Sequence, residues 1–144
     1  MFIKQVSVFV ENKVGRLAAV IEVLTKNNIN ISALSMADTS EFGILRLIVN
    51  EPEKATKALN ESGVVTKCTD VLTLAIEDKP GGLLEVLEKL KKENITVEYM
   101  YAFVGIRKDG KAIMVMKTDD MQKSLEFTNG HGEMLVTPED IYRK

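Results

Sequence analysis

The chain has 144 residues, a hydrophobic fraction of 45% and a net charge of −2. This length is near that of one average domain but also accommodates two very small ones, and the composition is normal for a globular protein. A nearly neutral chain without a basic block argues against binding to nucleic acid or to an anionic membrane. The single Cys68 excludes an intramolecular disulfide. We see no signal peptide and no apolar run of roughly 20 residues, so we expect a cytoplasmic protein.

The first half of the chain predicts four strands and two helices. Apolar residues alternate over 6–10, which predicts a strand. A loop containing Gly15 follows, and apolar residues then recur with helical spacing at Leu17, Val20, Ile21 and Leu24. A second strand begins at Ile29, a turn cluster covers 39–43, and 44–49 form a third strand. A short helix opens at Pro52 and ends by Gly63, before a fourth strand over 64–70.

The second half repeats this order about 66 residues later. Between 11–31 and 77–97, 10 of 21 aligned positions are identical. A strand over 72–76 precedes a second helical pattern, formed by Leu83, Val86, Leu87 and Leu90. A strand begins at Ile95, Asp109-Gly110 predicts a hairpin, and 112–117 form the next strand. A helix then runs from Asp119-Asp120 to Gly130, and 134–136 supply the last strand.

The repeat predicts an α+β protein with two ferredoxin-like βαββαβ domains, 1–70 and 71–144. The right-handed crossover rule favours an antiparallel sheet with both helices on one face of each domain. Apolar residues are then expected on the face away from the helices: Phe9, Leu34, Met36, Ile44 and Ile48 in the first domain, and Ala75, Met100, Ala102 and Val104 in the second. A sheet face open to water is normally polar, so we expect this face to be covered by the other copy or in a homodimer.

The repeated loop between the first strand and helix is the best candidate for a binding site. Backbone N–H groups at a helix start, together with the helix dipole, attract an anion such as a carboxylate. Glycine permits close approach of the backbone, and Asn12 or Asp78 can accept a hydrogen bond from an ammonium group. The alternative is purely structural, because a strand-to-helix turn often needs Gly and an Asn or Asp cap for folding alone.

These motifs resemble the ACT domain over nearly the whole chain. Asn12-x-x-Gly15-x-Leu17 with Asn28-Ile-Asn-Ile31 carries the resemblance in the first copy, and Asp78-Lys-Pro-Gly81-Gly-Leu83 with Asn94-Ile-Thr-Val97 in the second. The chain is similar to stand-alone tandem ACT proteins of bacteria, and departs from the pattern at Val14, where Pro is usual, and at Thr96, where Asn is usual.

The resemblance implies a regulatory protein that binds an amino acid or related small molecule, without a cofactor. The implied ligand contacts are Asn12, Lys13, Val14, Gly15, Arg16 and Leu17, then Asp78, Lys79, Pro80, Gly81, Gly82 and Leu83, with Asn30 and Ile31 on the second strand. The two loops differ in charge, so we expect one strong and one weak site, with the closer family match favouring the second loop.

Other candidates are weaker. Residues 105–111 imitate a phosphate-binding loop but end in Ala112 and join two strands. We expect His131 to lie exposed in a loop, Cys68 to be buried in a strand, and Arg46 to pair with an acid at an interface or to hold a ligand carboxylate. The aromatic row Tyr99, Tyr101 and Phe103 is expected to pack in the core.

Three functions are consistent with these patterns. The leading hypothesis is a non-catalytic allosteric sensor that signals to a separate metabolic enzyme. The second is an assembly adaptor whose loops are structural. The third is a small ferredoxin-like enzyme or metal-handling protein, which would need a cluster of His, Cys or acidic residues that the sequence does not suggest. The sequence does not identify the ligand or the partner.

Overall fold

The computed structural model describes residues 2–38 and 42–142. The first six elements are β1 (Ile3–Glu11), α1 (Arg16–Lys26), β2 (Ile31–Asp38), β3 (Phe42–Val49), α2 (Pro52–Glu61) and β4 (Thr66–Ile76). The remaining ones are α3 (Gly82–Lys92), β5 (Val97–Lys108), β6 (Lys111–Thr118), α4 (Met121–Asn129), a 3-10 turn (Gly132–Met134) and α5 (Pro138–Ile141). Part of the predicted turn cluster, 39–41, falls outside the described residues. None of the described helices has the length and apolar character needed to cross a membrane.

The chain divides into two compact units. Of the described residues, the N-terminal unit comprises 4–70 and Tyr142, and the C-terminal unit comprises 71–141 together with Phe2 and Ile3. In the N-terminal unit, β3 pairs antiparallel with both β1 and β2, and the Phe9 N–H donates to the Val65 carbonyl. In the C-terminal unit, β6 pairs antiparallel with both β4 and β5. The predicted α+β fold with antiparallel sheets is confirmed.

The fourth strands differ from the prediction. The sequence predicted separate strands over 64–70 and 72–76, but the unbroken strand β4 serves as both. The predicted strand over 134–136 was wrong: Gly132–Met134 form a 3-10 turn, and only a single bridge joins Leu135 to Leu74. The Met134 N–H donates to the His131 carbonyl at 2.9 Å, so this backbone closes a turn on itself before it can pair along the sheet.

Both long helices end in the same way. Asn28 and Asn94 adopt left-handed conformations, with φ of 56° and 57°. The following isoleucine N–H then donates back to the last buried leucine, Ile29 to Leu24 and Ile95 to Leu90, each at 3.0 Å. This is the Schellman arrangement, which satisfies the final carbonyls and places an apolar contact behind the turn.

Each unit has its own apolar core between helices and sheet. In the N-terminal unit the buried residues are Val6, Val8, Val10, Val20, Leu24, Ile29, Leu45, Leu47, Val49, Ala55 and Leu59. In the C-terminal unit they are Leu74, Ile76, Val86, Leu90, Ile95, Met116, Phe127 and Met134. The predicted helix faces were wrong at their first member, since Leu17 and Leu83 are about 40% exposed. Each lies in the first turn, beside the strand-to-helix loop rather than over the sheet.

A β-bulge near the start of the second strand reverses part of the predicted sheet faces. In β2, Ile31 faces Val49 but Ala33 faces Ile48, so one extra residue is inserted at Ser32. The same shift occurs between Val97 and Tyr99 in β5. A one-residue insertion moves every later side chain to the opposite face.

Because of these bulges, four residues predicted to lie on the face away from the helices lie on the helix side instead. Leu34 and Met36 lie opposite Leu47 and Leu45, and Met100 and Ala102 lie opposite Met116 and Met114, so all four share the helix side. Phe9, Ile44, Ile48 and Ala75 keep the predicted face. Ile48 and Ala75 are buried, whereas Phe9 is 42% exposed. Val104 lies in an irregular stretch of β5 and is exposed.

A capping box closes the C-terminal end of the chain. The Thr137 N–H and hydroxyl donate to Asp140 Oδ2, at 2.8 and 3.0 Å, and Lys108 Nζ donates to the same oxygen at 2.9 Å. The Thr137 backbone, then Lys108, lowers the pKa of Asp140 from 3.8 to about 2. The ionised carboxylate therefore holds the segment after the 3-10 turn against β5.

The depressed pKa of Asp140 predicts a pH-dependent loss of stability. Its contribution is complete above pH 3.8 and disappears as the pH falls through about 2. Asp140→Asn should cost at most about 2 kcal/mol of unfolding free energy at pH 7 and should flatten the stability profile between pH 4 and 2. Urea denaturation at several pH values measures this, with Asp109→Asn in the exposed hairpin as control. Parallel profiles for Asp140→Asn and the parent protein would contradict the assignment.

Candidate functional site

The two strand-to-helix turns share one backbone geometry. Gly15 and Gly81 precede α1 and α3 with φ of 83° and 85°, and neither helix start has a side-chain cap. The Arg16 N–H donates to the Lys13 carbonyl and the Gly82 N–H to the Lys79 carbonyl, at 3.2 and 3.0 Å. The glycines are therefore required by the left-handed conformation itself. With no side-chain cap, the first turn of each helix is available for an acceptor from outside.

The first residue of each turn contacts a side chain on a nearby strand. In one unit it is a hydrogen-bond donor to a carboxylate, and in the other it is a carboxylate paired with a cation. Asn12 Nδ2 donates to Asp38 Oδ1 at 2.7 Å, at the end of β2. In the C-terminal unit, Asp78 Oδ2 lies 2.8 Å from Arg107 Nη2 on β5. Asp78, predicted to accept from a ligand ammonium, thus already has a cationic partner, although both side chains are more than half exposed. The two turns therefore present different charges, as their sequences predicted.

Asn30 and Ile31 lie far from the turn within their unit. Ile31 pairs with Val49 at one end of β3, whereas Glu11, next to the turn, pairs with Phe42 at the other end. The Asn30 N–H donates to Asn50 Oδ1 at 3.0 Å, and its carbonyl accepts from the Asn50 N–H at 3.2 Å. Asp119 makes the same pair of bonds with Thr96. Within the N-terminal unit the structure does not bring Asn30 and Ile31 together with Asn12–Leu17.

A pocket of about 340 Å³ opens beside the first turn. Its walls come from the end of β1, one side of α1, the start of β3 and the segment between α2 and β4. The lining residues are Phe9, Val10, Glu11, Arg16, Ala19, Val20, Val23, Phe42, Ser62, Gly63, Val64 and Val65. Phe42 and Val65 are exposed, so the pocket is an open apolar cleft with Arg16 and Glu11 as its ionisable members. We call it the N-terminal pocket.

The C-terminal unit has a smaller pocket of about 230 Å³ at the corresponding place. Its lining residues are Ala75, Ile76, Glu77, Lys79, Gly82, Glu85, Val86, Lys89, Lys111, Glu133 and Met134. Glu85 and Lys89 occupy the positions of Ala19 and Val23. Lys89 Nζ lies 3.5 Å from Glu85 and 3.9 Å from Glu133, and Lys111 Nζ lies 3.8 Å from Glu77. Ion pairs therefore line this C-terminal pocket where the N-terminal pocket is apolar.

The charges at the mouth of the N-terminal pocket are unequally paired. Lys13 Nζ lies 3.2 Å from Glu11 Oε2, and the pKa of Glu11 is lowered by Lys13 and further by Arg16. Glu11 is thus held ionised by its neighbour. Among the described residues, the Arg16 guanidinium has no carboxylate within ion-pair distance. Its positive charge therefore faces the pocket mouth without an acidic partner at contact.

Sequence reasoning found the turns but missed most of the pocket walls. Phe42 and Ser62–Val65 are remote from the turn in sequence, and only strand pairing and the Phe9–Val65 bond bring them to it. One feature of the sequence could have indicated that the two pockets differ. Ala19 and Val23 lie beside the predicted apolar face of the first helix, whereas their counterparts in the second helix are Glu85 and Lys89.

The other residues considered for a functional role line neither of these two pockets. Cys68 lies in strand β4 as predicted but is exposed rather than buried, and its sulfur lies 3.3 Å from Thr56 Oγ1. His131 is half-buried rather than exposed: its Nδ1 lies 2.8 Å from the Phe127 carbonyl and its ring packs on Phe127. Of the aromatic row predicted to pack in the core, Tyr101 and Phe103 are buried, whereas Tyr99 is half-buried. Within the described ranges, no group of three or more His, Cys or acidic residues is arranged to hold a metal ion.

The family of the chain follows from its match to a known model. Residues 1–141 match the model of the ACT domain pair. The chain belongs to the ACT domain pair family. The crystal structure of protein BT0572 from Bacteroides thetaiotaomicron is 41% identical, with a TM-score of 0.90 over 100% of this chain and 98% of that one. A search of curated proteins found no match.

Two further solved structures share only the fold with this chain. The ligand-free regulatory subunit of aspartate kinase from Thermus thermophilus is 10% identical, with a TM-score of 0.62 over 88% of this chain and 91% of that one. The corresponding subunit from Thermus flavus is 13% identical, with a TM-score of 0.60 over 88% and 90%. The match of residues 1–141 to the ACT domain pair model confirms the resemblance to the ACT domain.

The turn glycines of this ACT domain pair should respond differently to an added methyl group. A Cβ at Gly82 would overlap the Glu77 carbonyl oxygen, whereas a Cβ at Gly15 or Gly81 meets nothing within 4 Å and only strains φ. We expect Gly82→Ala to cost about 2–3 kcal/mol and Gly15→Ala about 1 kcal/mol. Arg16→Ala, at the position aligned with Gly82, should change stability by less than about 0.5 kcal/mol.

Denaturant unfolding followed by circular dichroism measures these differences. Equal losses for Gly82→Ala and Arg16→Ala would show that the close approach to Glu77 is not a constraint. The strain at Gly15 and Gly81 also means that replacing them with valine would weaken ligand binding even without a ligand contact there. Side chains of the pocket are therefore better tests of binding than the glycines.

Proposed function

We propose that this ACT domain pair is a non-catalytic regulatory module that binds an amino acid or a related small acid beside its strand-to-helix turns. The observation that carries the proposal is the pocket next to an uncapped helix start, which the repeat places at corresponding positions in both units. Small-ligand sites are clefts of about 300–1,000 Å³ with apolar walls and a few polar groups, a description that the N-terminal pocket meets.

A regulatory role also requires a partner that reads the bound state. Binding alone has no downstream effect unless ligand and partner affinities are coupled. We infer that the partner is a separate metabolic enzyme. The two Thermus structures, which are regulatory subunits of aspartate kinase, support this idea through their fold alone.

Ligand binding should raise the thermal stability of the chain. A ligand at one hundred times its dissociation constant adds about 2.7 kcal/mol, which corresponds to a shift of roughly 5–10 °C for a protein of this size. We expect such a shift with at least one member of a panel of the common amino acids and their 2-oxo acids. Scanning fluorimetry at pH 7 measures it, with acetate and methylamine as controls for charge alone. No shift across the panel would favour the assembly-adaptor alternative.

We also propose a homodimer, supported by apolar side chains open to solvent on the N-terminal unit. Leu34 and Met36 are 48% and 44% exposed, and they lie two residues apart on the same face of strand β2. Sedimentation velocity should give twice the mass of the chain, and Leu34→Lys with Met36→Lys should shift it to the monomer because paired lysines at an apolar contact repel. Val104→Lys, at an exposed position of the C-terminal unit, serves as control. A monomeric parent protein would contradict the proposal.

A further inference from the structure

The duplication provides an internal comparison between two pockets of one origin. The pocket positions of α1 and α3 align at a spacing of 66 residues: Arg16 with Gly82, Ala19 with Glu85, Val20 with Val86 and Val23 with Lys89. Val20 and Val86 are both buried, so the two helices pack on their sheets in the same way. The outward members of the set have diverged in charge and size. The strand–turn–helix arrangement beside the pockets is shared, and we expect the side chains to decide what each pocket accepts.

Most charged side chains of the C-terminal pocket pair with one another, and among the described residues only Lys79 of its lining cations makes no ion pair. Lys89 lies between the Glu85 and Glu133 carboxylates, and Lys111 Nζ donates to the Glu133 carbonyl at 2.9 Å while facing Glu77 at 3.8 Å. A ligand entering here must displace ion pairs and gains little apolar contact. An apolar ligand would also remove water from these charged groups, which costs free energy.

In the N-terminal pocket, apolar walls surround a cationic side chain that makes no ion pair with a described residue. The walls formed by Phe9, Val23, Phe42 and Val65 offer apolar contact to a ligand body. Glu11 is engaged by Lys13, which leaves Arg16 as the cation at the mouth without an acidic partner at contact among the described residues. A guanidinium presents forked N–H donors that match the two oxygens of a carboxylate.

Resting on the function proposed above, we infer that the chain binds one ligand in its N-terminal pocket, a small carboxylic acid with a branched aliphatic or aromatic body. The carboxylate pairs with Arg16 and the apolar body lies between α1 and the segment 62–65. The C-terminal pocket is closed to such ligands by its own ion pairs. This assignment reverses the preference for the second loop that family similarity favoured, because the pocket walls rather than the turn motif select the ligand.

The chain offers a matched pair of variants to test this inference. Ala19→Glu with Val23→Lys transfers the Glu85–Lys89 pair to the N-terminal pocket, and an i,i+4 Glu–Lys pair is well tolerated on a helix surface. Glu85→Ala with Lys89→Val makes the reverse exchange. Titration calorimetry of the full chain uses L-leucine, L-phenylalanine and their 2-oxo acids as probes, with L-leucinamide, L-aspartate and L-lysine for comparison. Circular dichroism establishes that every variant is folded.

We expect one site per chain for at least one apolar acid, and the amino and 2-oxo forms show whether the ammonium group contributes. Ala19→Glu with Val23→Lys should weaken binding more than about tenfold, and Arg16→Gln by about tenfold, the loss associated with one charge-assisted hydrogen bond. L-Leucinamide, which lacks the carboxylate, should bind as weakly as the Arg16→Gln variant binds L-leucine. Glu85→Ala with Lys89→Val should leave the affinity of this site unchanged.

The possible failures are distinct. If none of these probes binds but another member of the fluorimetry panel does, this inference is wrong and the proposed function stands; if no member of either set binds, both are overturned. If L-aspartate or L-lysine binds in preference, if two equal sites are found, or if the exchange at Ala19 and Val23 leaves affinity intact, a ligand-binding function stands and the N-terminal pocket assignment is wrong. Loss of the site on exchange of Glu85 and Lys89 alone would place it in the C-terminal unit and would likewise overturn the inference.

Discussion

The left-handed glycine between strand and helix is the constraint on which the rest of each unit depends. Gly15 and Gly81, at φ of 83° and 85°, let the chain reverse within a few residues and start a helix without a side-chain cap. Any other residue pays steric strain at this φ. The turn fixes where the helix begins, which sets Val20 and Val86 over the sheet and leaves the preceding positions at the pocket mouth. Fold and candidate site are therefore consequences of the same backbone feature.

The two copies share backbone features at their turns, helix ends and bulges, but they carry different side chains at outward positions. Both helices end on a left-handed asparagine, and both second strands carry a bulge one residue after their first paired position. These features satisfy backbone hydrogen bonds and core packing, which any copy of the fold must satisfy. The outward positions face no such requirement, so Ala19 and Val23 in one unit correspond to Glu85 and Lys89 in the other. Two pockets of common origin thus present different side-chain chemistry.

Sequence periodicity predicted the elements because alternation and helical spacing are local properties. It predicted the wrong face for Leu34 and Met36 because the bulge at Ser32 has no sequence mark, and a single inserted residue inverts the pattern. It also predicted a fourth strand over 134–136 in the second copy, where the 3-10 turn at Gly132–Met134 and a single bridge are found instead. The turn motif was visible in the sequence, but the pocket was not. Its second wall, residues 62–65, reaches the first strand only through tertiary pairing.

The position of the N-terminal pocket gives ligand binding a route to a structural response. Its walls belong to α1 on one side and to the segment 62–65 between α2 and β4 on the other. These walls are far apart in sequence, and their separation is set by packing rather than by covalent connection. A ligand that contacts both stabilises arrangements in which they are close, and it shifts the population by no more than its difference in affinity for the two arrangements. A partner that contacts α2 or the start of β4 would read that shift without touching the ligand, which is the physical requirement for allosteric regulation.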